Sequence, residues 1–204
     1  MVSASVRPGS RVLVVGLGAI GQFSALISSL HGAQVWASDP VAARRELAAG
    51  ISGATAVDLG VGDAGARIEE SASGTRPWRG RNGPPGSSYE QLRWAQAAAP
   101  VDVVIDTTGR SDAFEAYLPL VAREGCLCLQ GYYATPLTLD FHAAHMKRLE
   151  IRCPGGMDLV DYEKVLRLLA YADVSGLIGL EIPAAEAPER LQEPTSRKGT
   201  SVPV

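Results

Sequence analysis

Gly16-Leu-Gly-Ala-Ile-Gly21 stands between the β-branched run Arg11-Val-Leu-Val-Val15 and a stretch in which Ile20, Phe23, Leu26, Ile27 and Leu30 recur at helical spacing. A buried strand, a glycine turn and a helix in that order admit few folds. Each glycine then has a distinct physical task. Gly16 permits the tight turn, Gly18 lets the backbone approach a pyrophosphate, and Gly21 allows helix and strand to pack closely. Leu17, Ala19 and Ile20 complete the turn. The helix opening near Ile20 aims unpaired N–H groups and a positive dipole end at the same point. Asp39, followed by Pro40, ends the next strand-like run, Gln34–Ser38. A carboxylate there can accept both hydroxyls of an adenosine ribose and repels a 2′-phosphate, so the sequence favours NAD over NADP. Arg44 and Arg45 weaken that preference, because either could reach a 2′-phosphate. The plain alternative is a structural glycine turn with no nucleotide.

The alternation continues down the chain. A helix is expected over Val41 to Ala49, closed by Gly50, and a short strand over Thr55 to Asp58. Val101-Asp-Val-Val-Ile-Asp106 reads as a strong strand, followed by a helix from Ser111 to Val121 and a strand from Cys126 to Gln130. A short helix from Asp140 to Lys147 leads to a sixth strand, Leu149 to Arg152, and Asp158 could cap a last helix running to Tyr171. Strands alternating with helices imply an α/β fold, a doubly wound parallel sheet of the Rossmann type in one three-layer domain. Residues 10–182 form this domain after a linker-like 1–9. The Gly-, Pro- and Ser-rich stretch 73–88 is expected as a flexible insertion, or a loop contacting substrate or partner. Residues 183–204 are expected as a weakly ordered tail.

A net charge of −3 gives no electrostatic reason to expect nucleic acid or an anionic membrane as partner. No apolar run approaches the roughly 20 residues a bilayer requires. The first residues lack the charged-then-apolar order of a signal peptide, and Cys126, Cys128 and Cys153 suit a reducing compartment. A cytoplasmic protein is the expectation.

The stretch from Val6 to Asp39 resembles the coenzyme-binding domain of the medium-chain dehydrogenase/reductase, or alcohol dehydrogenase-like, superfamily. The resemblance continues through Val101–Gly109 and Gly125–Gly131 and covers nearly the whole chain apart from 73–88. Within it, the segment from Gln130 to Ala134 is most similar to bacteriochlorophyllide-type dehydrogenases. The resemblance implies that Arg44 reaches the adenosine ribose, and that Thr107, Thr108 and Gly109 pass beside the adenine ribose and nicotinamide. It implies that Gln130, Gly131 and Tyr132 hold the carboxamide through their backbone. It also implies a homodimer paired through the edge strand at 149–153. Members of the superfamily carry a second, all-β catalytic domain before the coenzyme domain, and this chain begins about where the linker between them would lie, so that portion is expected to be missing.

Proton donors for hydride transfer on a small-molecule alcohol or carbonyl are sought near the nicotinamide end. Tyr132 and Tyr133 are the candidates, with His142 and Lys147 further along. Adjacent strand residues face opposite ways, so at most one tyrosine should face the site; the alternative is an aromatic packing pair. Lys147 and Arg148 read as solvated. Cys126 and Cys128 share a strand face as small hydrophobes, and His142 and His145 lack further ligands at a recognisable spacing, so no zinc or other metal is expected. The favoured reading is an NAD(H)-dependent oxidoreductase. A non-catalytic NAD(H)-binding module or complex subunit, or a Rossmann protein turned to a non-redox reaction, are the alternatives.

Overall fold

The computed structural model describes residues 4–60, 66–68, 70, 100–156 and 159–177; the expected insertion at 73–88 and tail at 183–204 lie outside the described residues. Short apolar runs become strands and the intervening segments helices: β1 (Arg11–Val15), α1 (Ala19–Leu30), β2 (Gln34–Ser38), α2 (Ala42–Ser52), β3 (Thr55–Val57), β4 (Val101–Asp106), α3 (Ser111–Tyr117), β5 (Val121–Leu129), α4 (Phe141–Lys147), β6 (Glu150–Arg152) and α5 (Leu159–Leu169). The strands form one six-stranded sheet in the order β3-β2-β1-β4-β5-β6, every pairing parallel. This is the doubly wound order, and its reversal point lies between β1 and β4.

Strand residues alternate between two cores, as a sheet covered on both faces requires. Val12 and Val14 join Val35, Ala37, Val103 and Ile105 on one side. Leu13 and Val15 join Trp36, Val104, Phe114 and Leu127 on the other. Ala4 and Val6, in the stretch expected as a linker, are buried in the first core. Arg11 closes the far end of β1 by donating from its backbone N and guanidinium to Asp102, at 2.9, 3.2 and 2.7 Å.

Helix α1 buries only part of the face its apolar spacing marks. Ile20 and Leu30 are about half exposed, whereas Gly21, Gln22, Ser24, Ala25, Leu26 and Ser28 are buried. Small side chains let the helix axis come close to the sheet, and two of the buried polar ones donate to backbone carbonyls. Ser28 Oγ donates to Ser24 O at 2.6 Å, and Gln22 Nε2 donates to Leu17 O at 3.3 Å and Arg44 O at 2.9 Å.

Helix α2 runs through Gly50 and stops at Gly53, whose φ of +69° ends the helix with its N–H on Ala49 O. Strand β5 starts at Val121 rather than Cys126. A register shift between Val101 and Val103 absorbs extra residues there, with Glu124 at φ +60°. Asp140 caps α4 by accepting from His142 N and Ala143 N. Lys147, expected in solvent, is instead half-buried, and its Nζ donates to Leu118 O, Pro119 O and Val121 O at 3.3, 3.2 and 2.9 Å. Leu118 O also accepts from Val121 N, so the ammonium adds to the bond that closes the helical turn after α3. Arg148 is exposed and pairs with Glu124 at 3.3 Å. Helix α5 buries none of its residues. No described helix is long and apolar enough to cross a membrane.

Cys126 and Cys128 lie on one buried face of β5, and Cys153 is exposed. Burial pushes the Cys126 thiol up to about 11 and raises that of Cys128. A thiol reacts as its thiolate, which burial disfavours. Iodoacetamide at pH 8 should therefore label the folded chain at Cys153 alone, read by mass spectrometry. Labelling of Cys126 or Cys128 at the rate of Cys153 would contradict this packing.

Candidate functional site

Every turn singled out in the sequence emerges at one edge of the sheet, at the carboxyl ends of β1, β2, β4 and β5. Backbone hydrogen bonds tie these ends together: Gly16 N to Ser38 O at 2.8 Å, Thr107 N to Val15 O at 2.9 Å, and Gln130 N to Asp106 O at 2.8 Å. Gly16 has φ +86°, and a Cβ there would lie 2.7 Å from Thr108 Cγ2. A Cβ on Gly21 would lie 1.8 Å from Gly16 O. The first turn of α1 thus rests directly on the glycine turn, and Thr107 Oγ1 donates to the same Gly16 O at 2.8 Å. Gly18 behaves differently. It caps α1 in an extended conformation, and a Cβ there would meet no atom within 4 Å. The backbone at Gly18, beside the unpaired N–H groups of the helix start, is an open cradle for an anion. Leu17 is buried, while Ile20 is about half exposed.

Asp39 is 5% exposed and locks this turn from β2. Its Oδ2 accepts from Leu17 N and its Oδ1 from Val41 N, each at 2.8 Å. The Leu17 N–H is therefore committed within the protein. Each carboxylate oxygen keeps a further lone pair. The two arginines part company. Arg45 donates to Asp39 O and to Asp58 Oδ2, the latter at 3.0 Å, and so is fixed against the fold. Arg44 stays partly exposed, with Nη1 3.6 Å from Asp39 Oδ2. Pro40 is exposed beside them.

On the other side of the reversal point, the segments after β4 and β5 touch backbone to backbone. Gly109 has φ +65°, and a Cβ on it would lie 2.1 Å from Tyr132 O; a Cβ on Gly131 would lie 2.2 Å from Gly109 N. Tyr132 projects outward at 90% exposure. Tyr133 turns inward, and its hydroxyl donates to Asp106 Oδ2 at 2.5 Å.

Asp106, the last residue of β4, was not among the residues the sequence marked. It is 0% exposed. Its Oδ1 accepts from Thr108 N and Thr108 Oγ1, both at 2.7 Å, and its Oδ2 from Tyr117 OH at 2.7 Å as well as from Tyr133. Burial, together with the adjacent Asp106, holds both phenols above the ordinary tyrosine range. Tyr117 also stacks edge-on against Phe114, centroids 5.4 Å apart. The signal for Asp106 was an acidic residue closing an apolar strand, since a buried carboxylate must be matched by donors.

Residues 19–171 match the sequence profile of a family described as zinc-binding dehydrogenase. The chain belongs to the zinc-binding dehydrogenase family. The L-galactonate-5-dehydrogenase of Escherichia coli K12 is 28% identical over 172 residues, which cover 84% of this chain and 44% of that enzyme. A Sinorhizobium meliloti 1021 protein solved bound to NADP superposes with a TM-score of 0.72 at 23% identity, covering 97% of this chain and 53% of that one. The acetophenone reductase of Geotrichum candidum NBRC 4597, solved in complex with NAD, gives 0.58 at 19% identity, covering 82% and 40%. This zinc-binding dehydrogenase chain thus spans less than half the length of the curated relative. Among its described residues, no three or more His, Cys, Asp or Glu side chains come together as a metal would need. His142 and His145 lie on α4, and Cys126 and Cys128 are core residues. The described residues do not fit a zinc ion.

Proposed function

We propose that this chain binds NAD(H) across the carboxyl edge of its sheet and serves a medium-chain, NAD(H)-dependent oxidoreductase acting on an alcohol or carbonyl. The observation that carries this reading is the open backbone at Gly18, at the start of α1 and beside the Asp39-locked turn. Gly16, Leu17, Gly18, Ala19, Ile20 and Gly21 cradle the pyrophosphate. Asp39, Pro40 and Arg44 receive the adenosine ribose. Thr107, Thr108 and Gly109, with Gln130, Gly131 and Tyr132, floor the nicotinamide half. Bound NAD(H) supplies the hydride chemistry, and the chain orients it and keeps its exposed face towards substrate. Tyr132 is the tyrosine placed to meet a substrate, since the Tyr133 hydroxyl is engaged by Asp106. The names of two curated relatives, L-galactonate-5-dehydrogenase and 2-dehydro-3-deoxy-L-galactonate 5-dehydrogenase, make a sugar-acid hydroxyl the first substrate class to try. A cytoplasmic homodimer paired along β6, one of the sheet's two edge strands, with Ile151 40% exposed, completes the reading.

NAD is preferred over NADP because Asp39 stands at the end of β2 and Arg45 is held by Asp58. Calorimetric titration of the full chain with NADH and with NADPH tests this. NADH should bind more tightly. Asp39→Ala should weaken NADH binding about tenfold and narrow the gap to NADPH, because the ribose acceptor and the lock on Leu17 are lost together. An unchanged preference would mean that another residue reads the ribose. Binding of NADH with no substrate-dependent change in its absorbance would favour a non-catalytic NAD(H) module. The engagement of Tyr133 by Asp106 supports that second reading.

A further inference from the structure

The sheet edge beyond the reversal point rests on one buried residue. Asp106 reaches the segment after β4 through Thr108 N and Oγ1, and the segment after β5 through Tyr133 OH. Its backbone carbonyl accepts from Gln130 N at 2.8 Å and Gly131 N at 2.9 Å. Among the described residues no lysine or arginine donates to it; hydroxyl and amide donors satisfy the side chain. Removing one donor from so buried an acceptor leaves desolvation uncompensated, so the arrangement behaves as a unit. The two segments it joins already touch at Gly109 and Gly131, where neither position has room for a Cβ. Sliding one segment past the other would therefore require breaking the Asp106 bonds.

We propose that Asp106 is a positioning residue that, through Thr108 and Tyr133, fixes the spacing of segments 107–109 and 130–133, the platform for the nucleotide half distal to Asp39. This rests on the dinucleotide reading above. In a doubly wound sheet the two halves of a dinucleotide lie on opposite sides of the reversal point, one towards β2 and one over β4 and β5. Asp39 and the Gly18 cradle belong to the first side and the pyrophosphate, and Asp106 touches neither. Thr107 links the two sides, donating from Oγ1 to Gly16 O at 2.8 Å, whereas the Tyr133 hydroxyl acts at Asp106 on the distal side.

The separation gives the test. The full chain, Tyr133→Phe and Asp106→Asn are titrated calorimetrically with NADH and, separately, with ADP-ribose, which lacks the nicotinamide. Thermal melting is followed in parallel. Tyr133→Phe should lower NADH affinity roughly tenfold, the worth of one hydrogen bond to a carboxylate, and leave ADP-ribose affinity within about twofold. Asp106→Asn should do the same or more. Should Asp106→Asn fail to fold, Tyr133→Phe, which removes a single hydroxyl, decides. Equal loss of NADH and ADP-ribose affinity in Tyr133→Phe would overturn the proposal, as would no loss of either. Failure of the unsubstituted chain to bind either ligand would instead overturn the dinucleotide reading on which it stands.

Discussion

Gly18→Val should lower NADH affinity by at least about 100-fold, or ~2.7 kcal/mol, with little loss of stability. The backbone at Gly18 has φ −71° and ψ −170°, an extended conformation that valine adopts without strain. A Cβ there would meet no atom of the described residues within 4 Å, so they give no steric reason to resist the change. Valine is a poorer helix N-cap than glycine, which costs up to about 1 kcal/mol. What the side chain does fill is the space over the start of α1, where a pyrophosphate must come within hydrogen-bond reach of the backbone. Titration with NADH alongside a thermal melt reads both quantities. Undiminished NADH binding would mean that the phosphates lie elsewhere.

Gly21→Ala, three residues further on, should act first on stability. Its Cβ would fall 1.8 Å from Gly16 O, against a carbonyl that also accepts from Thr107 Oγ1. Gly16 O and Gly16 C, the latter at 2.8 Å, are both backbone atoms, so α1 must lift from the turn, at a cost of about 2–4 kcal/mol. The midpoint of chemical unfolding should fall accordingly, with cofactor affinity lost as a consequence of the displaced helix. A midpoint equal to that of the unsubstituted chain would show that α1 is not seated on the glycine turn as described. Two glycines of one motif thus separate a binding task from a packing task.

Periodicity and glycine placement made the first half of the sheet legible. The runs Arg11–Val15, Gln34–Ser38 and Val101–Asp106 are strands with those bounds. These strands are covered on both faces, so eleven of their sixteen residues are apolar and the signal is strong. Legibility falls where local and tertiary terms compete. Strand β5 begins among Arg123, Glu124 and Gly125, whose polar and irregular character hides pairing with β4 across a register shift. In α1 the apolar spacing marked one face, yet close packing buries Leu26 with Gly21, Ser24, Ala25 and Ser28 and leaves Ile20 and Leu30 about half exposed. Gly50 reads as a stop, but the left-handed conformation that ends α2 falls at Gly53. At the site, the glycine turn and Asp39 could be read because their spacing is a motif. Asp106 could not, because its partners Tyr117 and Tyr133 come from distant segments and meet it only in the folded chain.

The exposed character of α5 also divides the molecule energetically. A helix that buries none of its side chains can come away from the body while uncovering little apolar surface. Opening it therefore costs only a fraction of the global unfolding free energy. The edge formed by β1, β4 and β5 belongs to the sheet's buried centre, where local opening is equivalent to losing the whole sheet. Ligand held at that edge is thermodynamically linked to global folding. At a concentration of 100 times its dissociation constant it would add about 2.7 kcal/mol to the cost of unfolding the centre, while the α5 equilibrium would be left as it was.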